Sequence, residues 1–193
     1  YDVVVEQGGL FSPDTGATAH RTTVNDGGEV HIEGGHAYGV TINEGGFVVI
    51  DQEGYAEDVS VGAGGAFHLF DVASALNTTI SDGGYAVATQ NAKLENTTVQ
   101  NGGVEYVWGG GSAYGTTVEA GGSQVVTKGG DENIVTSTGG SAYGTILNGG
   151  VQIVESLGVA SDTAVSAGGT VYVSAGGVAS GAVILGEGDN HGM

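Results

Sequence analysis

Pairs of adjacent glycines recur along this chain at a nearly constant interval. Gly8-Gly9, Gly27-Gly28, Gly45-Gly46, Gly64-Gly65, Gly83-Gly84, Gly102-Gly103 and Gly121-Gly122 stand 19, 18, 19, 19, 19 and 19 residues apart. After a gap of 28 residues the rhythm resumes at Gly149-Gly150 and Gly168-Gly169, and Glu187-Gly188 keeps the next place. A fixed period of this size marks a solenoid, whose units bury their apolar faces only against one another. Such a chain is an extended rod with long, repetitive faces, and its function depends on what those faces bind.

Aligning the units on their glycine pairs exposes columns. Three residues before the pair stand Val5, Val24, Ile42, Val61, Ile80, Val99, Val118, Ile146, Val165 and Ile184. All are β-branched and aliphatic, as a buried strand position prefers. Eight before it stand Ala19, Ala37, Ala56, Ala75, Leu94, Ala113, Ala160 and Ala179, small side chains that suggest a corner where two walls approach. Four after it stand Ile32, Ile50, Leu69, Ala88, Val107, Val126, Val154 and Val173. These three columns are the expected core.

Segments of about 4–6 residues rich in Val, Thr and Tyr read as short strands. The glycine pairs supply turns that need positive φ or close backbone approach, and a second glycine near mid-unit (Gly34-Gly35, Gly54, Gly109-Gly110, Gly158, Gly176-Gly177) marks another corner. The expected fold is therefore all-β: a single-stranded parallel β-helix of about nine to ten coils, on the order of 45 Å long at the usual strand spacing. It would span residues 1–188, with 189–193 as a tail and 123–148 as an irregular coil. That coil holds two echoing segments, Ser123–Gly130 and Glu132–Gly140, which read as a β-hairpin or a partial extra coil.

One strand leaves two readings open. After the early glycine pairs, offsets two and four are apolar (Val30 and Ile32; Val48 and Ile50). Later units put Glu105, Gln124 and Gln152 at offset two and Tyr106, Val125, Ile153 and Tyr172 at offset three. Strict alternation cannot bury both sets. Either a bulge turns adjacent residues inward, the favoured reading, or an apolar and aromatic stripe runs along the outside.

Three basic residues, Arg21, Lys93 and Lys128, stand against 22 acidic ones, for a net charge of -19. Such a surface repels nucleic acid and anionic lipid. The absence of cysteine decides nothing by itself. There is no apolar run long enough to span a membrane and no signal peptide, and the chain begins in mid-rhythm, as an excised fragment would.

With the columns laid out, the units at 45–65 (GGFVVIDQEGYAEDVSVGAGG) and 149–169 (GGVQIVESLGVASDTAVSAGG) resemble the passenger repeats of self-associating bacterial autotransporter adhesins, of the type involved in diffuse adherence. The segments SAYGTTVEAGG (112–122), TAHRTTVNDGG (18–28) and LENTTVQNGG (94–103) carry the same Ala-x-x-Thr-Thr-Val-like pattern. The resemblance implies a right-handed β-helix exported to the surface of a Gram-negative bacterium, acting in cell–cell aggregation, biofilm formation and adhesion. Membrane attachment would come only through a translocator barrel that this chain does not contain.

An outward ladder beside the valine column is the candidate self-association face: Thr23, Asn25, Asp26, Thr41, Asn43, Glu44, Ser60, Thr79, Asp82, Thr98, Asn101, Thr117 and Glu119. Threonine outside strands and Asn or Asp at turns are also what plain structure demands. The irregular coil offers Lys128, Asp131, Glu132 and Asn133 as a candidate binding loop, which with Tyr38, Tyr114, Tyr143 and Trp108 would serve a host receptor or glycan. The expected partner is thus another copy of the chain or a host surface. A polysaccharide-degrading enzyme is a third reading, but its carboxylates would have to cluster in a groove, and Glu105 beside Gln124 is the nearest approach. No catalytic residue, cofactor or dedicated metal site is expected. Calcium loops of Asp-x-Asp-x-Asp type are absent, which leaves only weak, diffuse binding. His31 and His68 share a column but lie two coils apart, His20 and His36 fall at other offsets, and the histidines read as isolated and solvated.

Overall fold

The computed structural model describes residues 2–62, 64–129, 138–166 and 168–185. They form a parallel β-solenoid of about nine turns with 19-residue spacing, all strand and turn, with no helix among the described residues. One sheet of nine strands stacks the segments that follow the glycine pairs, from Leu10–Phe11 through Glu29–Glu33, Phe47–Asp51, Ala66–Leu69, Tyr85–Ala88, Val104–Val107, Ser123–Val126 and Val151–Val154 to Thr170–Val173. A second sheet of 15 strands forms the rest of each coil. In the early coils it consists of seven-residue strands, Thr18–Val24, His36–Ile42, Tyr55–Val61 and Ser74–Ile80. Beyond these it forks, because Ser74–Ile80 pairs with both Lys93–Glu95 and Thr98–Val99.

The fork occurs at a third corner. Arg21, Gly39, Asp58, Asn77, Asn96, Gly115, Gly144, Asp162 and Gly181 stack in one column, each with φ between 50 and 68°. Most are Gly, Asn or Asp, the residues that tolerate left-handed backbone at least cost. The glycine-pair corner has a double requirement, seen at Gly45-Gly46. Gly45 has φ of 68°, and a Cβ on Gly46 would lie 2.6 Å from the Val24 carbonyl oxygen of the coil below.

Core columns stack as expected, with one slip. Val5, Val24, Ile42, Val61, Ile80, Val99, Val118 and Val165 are buried, but the column passes through Leu147 rather than Ile146. Leu147 is 0% exposed, while Ile146 is 45% exposed and pairs outward with Thr117. One residue, Asn148, separates Leu147 from its glycine pair where Glu119 and Ala120 separate Val118 from its own, so counting from the pair slips by one. The alanine column lies in mid-strand, not at a corner: Ala19, Ala37 and Ala56 each take the second place of a strand facing the interior.

The post-glycine strand has no bulge. Glu105, Gln124 and Gln152 pair in continuous parallel register and are all 0% exposed, while Tyr106, Val125 and Ile153 face outward. The outer-stripe reading is the observed one. Both edges of Ser123–Val126 are occupied, by Val104–Val107 and Val151–Val154, and residues 130–137 of the expected hairpin or partial extra coil lie outside the described residues. The last rung exposes core-column side chains, with Val173 at 50% and Ile184 at 78%.

Candidate functional site

The six hydroxyl positions of the expected self-association face fall in one parallel register. Parallel registry stacks Thr23 on Thr41, Thr41 on Ser60, Ser60 on Thr79, Thr79 on Thr98 and Thr98 on Thr117. Their neighbours Val24, Ile42, Val61, Ile80, Val99 and Val118 point inward, so alternation places all six hydroxyls outside. The row ends where Ile146, Ala164 and Val183 continue the same register.

The Asn and acid positions beside this row are partly engaged within the chain. Asn25 Nδ2 donates to Glu6 at 2.9 Å, Asn43 Nδ2 to Asn25 at 2.8 Å, and Asn148 Nδ2 to Glu119 at 2.7 Å. These amides therefore brace adjacent coils. Asp26, Glu44, Asp82 and Asn101 remain exposed at the glycine-pair corner. Of the candidate binding loop, Lys128 is exposed, and Asp131, Glu132 and Asn133 lie outside the described residues.

The aromatic residues proposed for receptor binding separate onto two walls. Tyr114 and Tyr143 stack in adjacent coils, with ring centroids 5.1 Å apart and planes 12° from parallel, and are 39% and 38% exposed. Tyr38, on the same wall but several coils away, stacks on His20 at 5.3 Å. Trp108 belongs to the other wall, where Phe47, His68, Tyr85, Tyr106 and Trp108 form a chain of ring contacts 5.0–6.2 Å long, with Phe70 beside His68. This cluster covers the outward-facing Val87, leaving it 1% exposed. Sequence reading missed it because its members alternate between offsets one, three and five after the glycine pair.

The histidines are neither isolated nor uniformly solvated. His68 sits in the aromatic cluster, where burial lowers its pKa to about 4. His20 and His36 are exposed, but both lie against Tyr38. His31 Nε2 is 3.0 Å from Asp51 Oδ2, and its Nδ1 is 3.7 Å from Glu33 Oε1.

Glu105 and Gln124, the nearest sequence approach to a catalytic groove, are inside the solenoid. Gln124 Nε2 donates to Glu105 Oε2 at 2.6 Å, and Gln152 Nε2 donates to Gln124 Oε1 at 2.7 Å. Buried hydroxyls form the rungs: Thr116 donates to Glu105, Thr145 to Gln124 and Thr163 to Gln152, each at 3.0 Å. This ladder crosses three coils and fills the interior between apolar groups. Burial pushes the Glu105 carboxyl above its ordinary range, against the hydrogen bonds from Gln124 and Thr116, which pull it down. Thr97 also lies beside the carboxyl and opposes the rise, although its hydroxyl makes no hydrogen bond of ordinary geometry. With no exposure to solvent, the pair cannot meet a polysaccharide. Its sequence signal was the interval: Glu105 and Gln124 are 19 residues apart and Gln124 and Gln152 are 28, matching the glycine-pair spacings.

No family model matches the sequence, and no curated protein matches it. Among solved structures, the chain is similar to the crystal structure of a TibC-catalysed hyper-glycosylated TibA fragment. The two are 24% identical, with a TM-score of 0.47, and the match covers 97% of this chain and 96% of that one.

Proposed function

We propose that this chain is an extracellular adhesion module that associates with copies of itself through lateral packing of rod faces. The observation that carries the reading is the row Thr23–Thr41–Ser60–Thr79–Thr98–Thr117, six outward hydroxyls in one register along a parallel wall. Each hydroxyl can both donate and accept, so two such rows can pair without charge. Single contacts of this kind are weak, but a cell surface presents many rods and sums them. The passenger-repeat resemblance supports export to the surface of a Gram-negative cell and a role in aggregation and biofilm formation.

The net charge of -19 opposes packing at low salt. Its reach falls to about 8 Å at physiological ionic strength, so salt should promote association. Sedimentation velocity over a hundredfold concentration range, at low and physiological salt, tests this. Dimers should appear as salt rises. Thr41→Glu with Thr79→Glu, which puts like charges face to face in a pairing of identical rows, should abolish them. A strict monomer in every buffer, or dimers indifferent to the double substitution, would refute the reading.

A second reading, recognition of a host glycan or receptor, is favoured by the exposed Tyr114–Tyr143 stack, which offers a flat apolar platform. Tyr114→Ala with Tyr143→Ala should then abolish binding in a glycan screen while leaving self-association unchanged.

A further inference from the structure

We propose that His31, Glu33 and Asp51 form a binding site for one divalent transition-metal ion of the zinc class. The proposal is independent of the association reading. Strands Glu29–Glu33 and Phe47–Asp51 pair in parallel, with Glu33 directly opposite Asp51. Val30, Ile32, Val48 and Ile50 fill the interior, so alternation turns His31, Glu33 and Asp51 to the same outer face. One ligand atom from each lies within 4.8 Å of the others.

Three features separate this cluster from an ordinary acidic patch. Like charges directly opposite across a strand pair are destabilising, and Glu33 and Asp51 have no Lys or Arg to offset them. Among the described residues, the only ion pairs either makes are with His31. Second, Asp51 Oδ1 is buried with no hydrogen-bond partner, although Oδ2 meets His31. An orphaned carboxylate oxygen beside a second carboxylate is costly without a cation. Third, the side chains are 32%, 44% and 20% exposed for His31, Glu33 and Asp51. They are open enough for an ion to enter and covered enough for ligation to beat hydration.

The donor set selects the metal. One imidazole nitrogen and two carboxylates suit zinc and its neighbours, with water completing the coordination. Calcium needs about six to eight oxygen donors, more than two carboxylates provide, and magnesium, an oxygen-seeking ion, gains nothing from the imidazole. The ion would neutralise the two carboxylates and would replace the proton by which a His31 ring nitrogen now donates to the Asp51 carboxylate. The signal in the sequence was the interval of 18 residues between Glu33 and Asp51, equal to the local glycine-pair spacing. Comparing histidines only with one another concealed it.

The test is calorimetric titration of the full chain, stripped with chelator, with zinc chloride. One equivalent should bind, and His31→Ala or Asp51→Asn should weaken binding by at least about tenfold. His68→Ala and the double variant His20→Ala, His36→Ala should bind as the parent does, and excess calcium should not displace zinc. In parallel, NMR of the parent should show the His31 imidazole resonances shifting first on zinc addition, a readout that does not depend on any variant folding. Absence of zinc binding, parent-like binding by His31→Ala, or displacement by calcium would overturn the proposal and leave the triad a hydrogen-bonded cluster only.

Discussion

Replacing Glu105 with glutamine should make the chain more stable at neutral pH, by an amount that grows with pH. The carboxyl has no solvent exposure and its pKa is raised, with burial outweighing the hydrogen bonds it receives from Gln124 and Thr116. In the unfolded chain a glutamate titrates at about 4.3. Between that value and the raised folded one, the native state holds a proton that the unfolded state has released. Stability contributed by this group is therefore complete below about pH 4.3 and is lost as pH rises toward the folded pKa. The maximal slope is about 1.4 kcal/mol per pH unit. Glutamine extends the existing Gln124–Gln152 pattern, keeps an acceptor for Gln124, and has no charge to bury. Its amide also offers a donor to the unpartnered Thr97 hydroxyl of the preceding coil. Urea unfolding at pH 5, 6, 7 and 8, followed by Trp108 fluorescence and circular dichroism, measures both chains under the same background repulsion from the other acids. The stability difference should be small at pH 5 and should widen in favour of Glu105→Gln with each step up to the folded pKa. A difference independent of pH, or a variant less stable than the parent at pH 8, would refute the argument that burial controls this carboxyl.

Two further substitutions test the interior and a corner. Gln124→Leu removes the middle of the polar ladder and with it three buried hydrogen bonds, to Glu105 Oε2, from Thr145 and from Gln152, although Gln152 Nε2 still reaches Thr145 Oγ1 at 3.2 Å and Thr116 still reaches Glu105 Oε2 at 3.0 Å. At about 1 kcal/mol for each of the three hydrogen bonds lost, a loss on the order of 3 kcal/mol is expected in urea unfolding; a loss below about 1 kcal/mol would mean the ladder is dispensable. Val72 has φ of 68° at the mid-unit corner, a strained place for a β-branched side chain, and is 47% exposed. Val72→Gly should raise stability by about 1 kcal/mol, and destabilisation would show that the side chain matters more than the strain.

The coil, its period and most of its core were legible in the sequence because a solenoid repeats its demands every turn. Columns such as Val24–Ile42–Val61 stand out where each position has one requirement. The corner at Arg21, Gly39, Asp58 and Asn77 stayed hidden because left-handed backbone can be met by several residue types, so its column has no single letter. The Ile146–Leu147 slip came from a shortened turn, invisible to counting from the glycines. The bulge was inferred on the rule that an interior is apolar. A hydrogen-bonded ladder satisfies the physical condition behind that rule by a different route, because Glu105, Gln124 and Gln152 supply partners to one another across coils. The His31 triad was missed because its members meet across strands.

The walls of the rod are unequal as surfaces for association, and the inequality follows from what each strand places inside. On the post-glycine wall, aromatic side chains from Phe47 to Trp108 lean on one another and cover the strand beneath, so Val87 is buried although it points outward. Those rings have already lost much of the apolar surface that a partner could bury. Where polar residues occupy the interior, Tyr106, Val125 and Ile153 are displaced to this same wall as a consequence of the ladder, without need of a ligand. The threonine wall differs in both respects. Its inward column is uniformly aliphatic from Val24 to Val118, so nothing in the core forces hydroxyls outside, and its outward row is short, uncharged and nearly uniform in height. Strand propensity favours threonine here, but valine, isoleucine or tyrosine at any of these six positions would satisfy the strand equally well. The regularity of the row is therefore the feature that the fold alone does not explain, and it is the reason to begin substitution at Thr41 and Thr79.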